Sequence, residues 1–194
     1  MVSDTANWAT EEFVLRLKNR DKAAFEELLK HFGPHLLNFG MKMCRQKEDA
    51  LDIFQDTLER AYLSLSQLKD PQAIKTWLFR VAANACMMKR RKPASLAEEI
   101  PLEDLAPEKE TLEHESGWNS LPEKAMENSE LRERLKEAVL SIPEHYRQVL
   151  LLRDMEGFST EETAEILGLS KDVVKMRLLR ARAKVREALA GFFQ

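Results

Sequence analysis

An all-α fold is predicted by three features of the 194-residue sequence. Glycine is scarce, at six residues, while Leu, Ala, Glu, Lys and Arg dominate, a composition that favours helices. Apolar residues recur at the 3.6-residue period in one segment after another, most of them opened by a capping residue or a proline. The stretch Gly157–Arg186 then reads as two helices about a glycine turn, with its cations concentrated on the second. The expected architecture is two small helical domains, residues 1–95 and 129–194, joined by an acidic linker over 96–128.

Thr10 is placed to cap a first helix with Phe13, Val14 and Leu17 inward, and Asp21 a second with Phe25, Leu28, Leu29 and Phe32 inward. Gly33-Pro34 is expected to stop that helix and start another, carrying Leu36, Leu37, Met41 and Cys44. His31 and His35 stand four apart, but this break would separate them and no HExxH pattern is completed, so no metal site is expected. From about Glu48 to Leu68 a helix with two characters follows. Leu51, Phe54, Leu58, Ala61, Tyr62 and Leu65 form its apolar stripe, while Asp49, Asp52, Asp56 and Glu59 line another face beside Gln55. Like charges one turn apart repel, so such a line is either a solvated face or a dock for a basic surface.

Asp70-Pro71 opens the next helix, with Ile74, Trp77, Leu78, Val81 and Ala85 inward and Thr76, Arg80, Asn84 and Met87 on a line facing solvent. It ends in Lys89-Arg90-Arg91-Lys92. Cations at a helix C-terminus are favoured by the dipole, but four in a row exceed that need and point to phosphate. The segment after Pro93 sets ten acidic residues against Lys109 and Lys124, punctuated by prolines, and reads as a linker. Helices resume at about Ser129 with the stripe Leu131, Leu135, Val139, Ile142, and Pro143 opens another carrying Tyr146, Val149, Leu150 and Leu152.

In the closing stretch, Ser159 and Glu162 are spaced as a capping box, and Gly168 supplies the left-handed residue of a tight turn. Ser170 caps the final helix, whose stripe is Val174, Leu178, Ala181, Val185, Leu189. Lys171, Lys175, Arg177, Arg180, Arg182, Lys184 and Arg186 are expected on its other faces. A short capped helix, a glycine turn and a basic second helix make a helix-turn-helix, whose second helix suits a DNA major groove.

Charge and composition bound the function further. The net charge of −3 is unusual for a DNA-binding chain until the segregation of basic and acidic stretches is recognised. Cys44 and Cys86, far apart and without a CxxC, are expected as reduced, buried thiols. No apolar run approaches a membrane span and the N-terminus lacks a signal-peptide pattern, so a soluble cytoplasmic protein without direct membrane insertion is expected. No glycine-rich phosphate loop, nucleophile–base spacing or metal cluster is present, so neither an enzyme nor a cofactor is expected.

EDALDIFQDTLERAYLSL followed by WLFRVAANACMMKRRK resembles the σ2 domain of bacterial extracytoplasmic-function (ECF) sigma factors, the group 4 members of the sigma-70 family. IPEHYRQVLLLRDMEGFSTEETAEILGLSKDVVKMRLLRARAKVREAL resembles their σ4 domain. The resemblance implies a subunit that binds core RNA polymerase, through the β′ clamp helices and the β flap, and directs promoter recognition for a stress or envelope-response regulon. Asp49, Asp52, Gln55, Asp56 and Glu59 would then meet the clamp helices, where charge complementarity steers docking. The loop from about Leu68 to Lys75 would capture a base flipped from the −10 non-template strand, with Lys75, Arg80, Asn84, Lys89, Arg90, Arg91 and Lys92 along the opened DNA. Lys175, Met176, Leu179 and Arg180 fall on the family's base-facing positions for the −35 element, with Lys171, Arg177, Arg182 and Lys184 on phosphates. Met176 stands where a small polar residue is common in the family. An anti-sigma factor is an implied partner. The alternative, a stand-alone helix-turn-helix regulator dimerising on an operator, accounts for residues 143–190 equally well but leaves the acidic line, the tryptophan helix and the linker without a task.

Overall fold

A computed structural model describes residues 10–44, 46–65, 68, 70–90 and 129–190. These residues form eight α-helices: α1 (Glu11–Lys18), α2 (Lys22–Met43), α3 (Lys47–Ser64), α4 (Ile74–Arg90), α5 (Ser129–Ser141), α6 (Glu144–Leu150), α7 (Thr160–Leu167) and α8 (Lys171–Ala190). No strand occurs among the described residues. The expected linker and the cations Arg91 and Lys92 lie outside them, as do the side chains of Lys89 and Arg90.

The local signals act where the sequence places them. Thr10 Oγ1 accepts from Phe13 N–H at 3.1 Å, and Asp21 Oδ1 accepts from Ala23 and Ala24 N–H at 2.9 and 3.3 Å. Ser159 and Glu162 close a reciprocal capping box, and Gly168 adopts φ +66°. Ser170 Oγ accepts from Val173 N–H at 3.3 Å.

The expected break at Gly33-Pro34 does not occur, because α2 runs unbroken from Lys22 to Met43 with Pro34 inside it. A helix-interior proline removes one backbone hydrogen bond, at about 3 kcal/mol. Leu28, Phe32, Leu36, Phe39 and Met43, buried on both sides of Pro34, hold the two halves in line. Lys30, whose carbonyl would otherwise accept from position 34, and Pro34 itself are both exposed. Gly40 serves a different purpose: a Cβ there would meet the Ala50 carbonyl oxygen at 3.3 Å, so its absence eases the close approach of α2 and α3.

Two further stripes differ from expectation. On α3 the buried line is Ala50, Ile53, Thr57 and Ala61, while Leu51 is 44% exposed. Thr57 can be buried because its hydroxyl donates to the Ile53 carbonyl at 2.7 Å. On α4, Thr76, Phe79, Ala82, Ala83 and Cys86 are buried in addition to Ile74, Trp77, Leu78 and Ala85, and Val81 is half-buried. The cause is tertiary. One side of α4 packs on α2 and α3, and another on α7 of the C-terminal helices.

One continuous apolar core therefore joins the N-terminal and C-terminal helices. Phe39 meets Phe79 edge-on at 5.6 Å between centroids, and Phe79 meets Phe158 at 4.9 Å. Arg147 locks a second junction. Its buried guanidinium donates to the Met43 carbonyl at 2.7 Å and to those of Leu140 and Ile142 at 3.2 and 3.0 Å. These carbonyls sit at the ends of α2 and α5, where the helix dipole is negative, so a cation is held there by fixed partial charges. After α6 the chain widens into a π-helical turn, Leu151–Met155, which no sequence signal announced.

Candidate polymerase and nucleic-acid interfaces

Asp52, Gln55, Asp56 and Glu59 are exposed along α3 and Asp49 is half-buried at its start, as helical spacing requires. Asp52, Gln55 and Asp56, with Arg60 and Met88, line an open groove of about 450 Å³ between α3 and α4. Arg60 Nη1 donates to Met88 Sδ at 3.5 Å across the groove's two helices. Neither residue belongs to the sequence-predicted set, although Arg60 lies one turn beyond Asp56 on the same helix. The groove is acidic on its α3 wall and is complementary in charge to a basic surface.

The α4 residues expected at the −10 strand are only partly available. Asn84 is exposed. Lys75 Nζ donates to the Glu156 carbonyl at 2.8 Å and lies 4.4 Å from the centre of the Phe158 ring. Burial lowers its pKa, against the opposing attraction of Glu156 and Glu162. Arg80 pairs with Glu165 of α7 at 3.4 Å. In the preceding loop Leu68 is buried and Pro71–Ala73 forms a 3₁₀ turn, while Ser66, Gln67 and Lys69 lie outside the described residues.

On α8 the exposed face carries Lys171, Lys175, Leu179, Lys184 and Arg186, with Met176 half-buried at its edge. Lys171 Nζ reaches Glu161 at 2.9 Å, tying the two helices of the turn together, and that hydrogen bond holds the Glu161 carboxyl below its ordinary range. Lys184 lies over the Tyr146 ring at 5.8 Å. The structure removes three cations from the outward set. Arg177 and Arg180 are 5% and 9% exposed. Arg182 forks onto Asp154, with Nε at 2.9 Å and Nη2 at 2.7 Å. All three flank the apolar stripe, where long arginine stems can cover core surface. Arg180, expected to face outward on this helix, is thus buried here.

Among the described residues no group of His, Cys, Asp and Glu is arranged to hold a metal, and no helix is long and apolar enough to cross a membrane. His31 and His35 share α2, but His35 Nδ1 lies 3.2 Å from Glu156 Oε2 and His31 packs edge-on against Phe32.

A capped helix-turn-helix with a lysine-bearing outer face, joined to a helical bundle with an acidic groove, defines a transcription factor that pairs DNA with a protein partner. Residues 28–95 match the family model for sigma-70 region 2, and residues 132–185 the model for sigma-70 region 4. The chain is 28% identical to the RNA polymerase sigma-H factor of Pseudomonas aeruginosa over 92% of its length and 93% of that protein. It is 27% identical to the ECF RNA polymerase sigma factor SigW of Bacillus subtilis, over 91% and 94% of the two chains. Among solved structures it is similar to CnrH in complex with the cytosolic domain of CnrY, at TM-score 0.65 and 24% identity over 94% of this chain and 98% of that one. The sigma factor RpoE of Bartonella quintana, solved with the anti-sigma factor NepR, matches at TM-score 0.62 and 25% identity over 86% and 96%. The chain belongs to the ECF group of the sigma-70 family, and its function is that of a sigma factor in transcription initiation.

Proposed function

We propose that this chain is a non-catalytic promoter-specificity subunit, built as residues 1–95, 96–128 and 129–194, with its surfaces divided as follows. The acidic wall of α3, carrying Asp49, Asp52, Gln55, Asp56 and Glu59, docks on the basic β′ clamp helices. Lys75, Arg80 and Asn84, with the cations from Lys89 to Lys92, hold the opened −10 strand. The exposed face of α8 enters the −35 major groove, where Lys175 and Leu179 face bases, Met176 borders them, and Lys171 and Lys184 contact phosphate. The helix-turn-helix unit also meets the β flap, and the acidic 96–128 segment follows the RNA path. An anti-sigma partner is proposed by likeness to the Bartonella complex.

The observation that carries this reading is the acidic groove between α3 and α4, within the region-2 match and apart from the helix-turn-helix. A stand-alone regulator has no use for it. The test is co-purification with core RNA polymerase, comparing the wild type with Asp52→Lys/Asp56→Lys. Retention of the wild type and loss of the variant is expected, because four units of charge are reversed on a steering surface. A wild type that ignores core polymerase but binds duplex DNA as a dimer would overturn it.

A further inference from the structure

The outward face of α8 changes character along the helix. Its first turns expose Lys171, Asp172 and Lys175, with Lys175 Nζ 4.0 Å from the Asp172 carboxylate. From residue 176 to residue 183 the polar side chains are Arg177 and Arg180, both buried, and Arg182, forked onto Asp154. What this stretch exposes is Leu179, at 37%, and Ala183, with Met176 half-buried beside them. At 3.6 residues per turn these three lie within about 60° of arc, along about 10 Å of helix axis. That length matches about three base pairs of duplex. Lys184 and Arg186 resume the exposed cations beyond the strip. An aliphatic side chain neither donates nor accepts, so against the amino group of cytosine or the O6 of guanine it leaves a desolvated polar group unpaired. Thymine is the base that presents a methyl group, on C5, in the major groove.

From this strip we infer that the −35 duplex is read in part through thymine: Met176, Leu179 and Ala183 pack on the C5-methyl groups of adjacent A·T pairs. The inference rests on the proposed entry of α8 into the −35 major groove, and it adds the chemistry of the sequence selected there. Lys171 and Lys184, towards either end, hold the helix on phosphates and carry no sequence preference. Discrimination along the middle of the helix then has two sources. Methyl groups bury apolar surface against the strip, and bases with polar edges are rejected because those edges go unpaired. Met176, in place of the small polar residue common in the family, gives the strip its full length. The element it fits carries thymine, on one strand or the other, at two or three adjacent base pairs.

The test uses the full chain assembled with core RNA polymerase. Promoter duplexes with a randomised −35 region are selected for binding at fixed salt. The recovered duplex is then resynthesised with each −35 thymine replaced in turn by deoxyuridine, which removes only the methyl group. Recovered −35 regions are expected to share thymine at two or three adjacent base pairs. Each replacement there should weaken binding by up to about fourfold, the worth of one buried methyl. Deoxyuridine in the spacer should have no effect. In Leu179→Ala the penalty at one position is expected to vanish, and in Met176→Ala the penalty at a neighbouring one. Leu179 is the more exposed of the two, so Leu179→Ala serves alone if Met176→Ala melts early. A −35 preference without thymine, deoxyuridine bound as tightly as thymine, or penalties that persist unchanged in the variants would overturn the methyl readout while leaving α8 in the −35 groove. If instead no −35 sequence is enriched although the holoenzyme forms, the placement of α8 fails and the inference falls with it.

Discussion

Arg182 separates a structural role from a DNA-contacting one. Changing it to alanine leaves Asp154, whose side chain is 7% exposed, without the two charge-assisted hydrogen bonds at 2.9 and 2.7 Å that now compensate its burial. Removing one partner of a buried pair costs about 3–5 kcal/mol. The Arg182 side chain keeps 21% exposure, so water replaces part of the lost interaction and the lower end, about 3 kcal/mol, is expected. In a chain of this size each kcal/mol lowers the melting temperature by about 2–4 °C, which gives a fall of about 6–12 °C. Thermal melts of Arg182→Ala, Asp154→Asn and the double variant, followed by far-UV circular dichroism, form the cycle. The double variant should recover most of the loss, since neither charge is then stranded. If Arg182→Ala melts with the wild type and instead lowers the salt dependence of duplex binding by about one unit, Arg182 contacts phosphate and its structural assignment is wrong.

Two further outcomes follow from single residues. Gly168→Ala keeps an open environment around the new Cβ but must hold φ +66°, so it should cost about 1 kcal/mol, read as a lower urea midpoint at unchanged slope. A gain in stability would contradict the left-handed turn. The Asp21 carboxyl is held below its ordinary value of 3.8, first by the side-chain hydrogen bond from Arg16 and then by the capped N–H of Ala24 and Ala23. Its contribution is therefore complete above the ordinary aspartate range and is lost as pH falls through the lowered folded value. Asp21→Asn should flatten that acid limb in urea titrations, and an identical acid limb in both proteins would refute the assignment.

Features that depend on a few neighbouring residues were legible before any coordinates. Thr10, Asp21, the Ser159–Glu162 box, Gly168 and Ser170 act within one turn of themselves, so sequence spacing specifies them. The α8 stripe was equally readable, because one side of that helix remains in water. What sequence spacing missed was set by distant partners. Pro34 sits inside a helix because the core grips both sides of it. Thr57 is buried in place of Leu51 because its hydroxyl is satisfied by its own helix. Period reasoning gives a helix one inner face, whereas α4 is covered on two. The charges of the candidate site were visible, but their commitments were not. Asp154 precedes Arg182 by 28 residues, and Glu156 lies 81 beyond Lys75, separations at which spacing carries no information.

The double coverage of α4 bears on how the protein survives before it meets a partner. Phe79 and Phe158 are 0% and 1% exposed while the two units touch, and Ala82 and Ala83 on the same helix as Phe79 are buried as well. Separation would uncover a contiguous greasy strip, and such strips are sticky. A chain cut back to residues 1–95, which lacks the C-terminal helices that cover this strip, is therefore expected to precipitate or recruit chaperones.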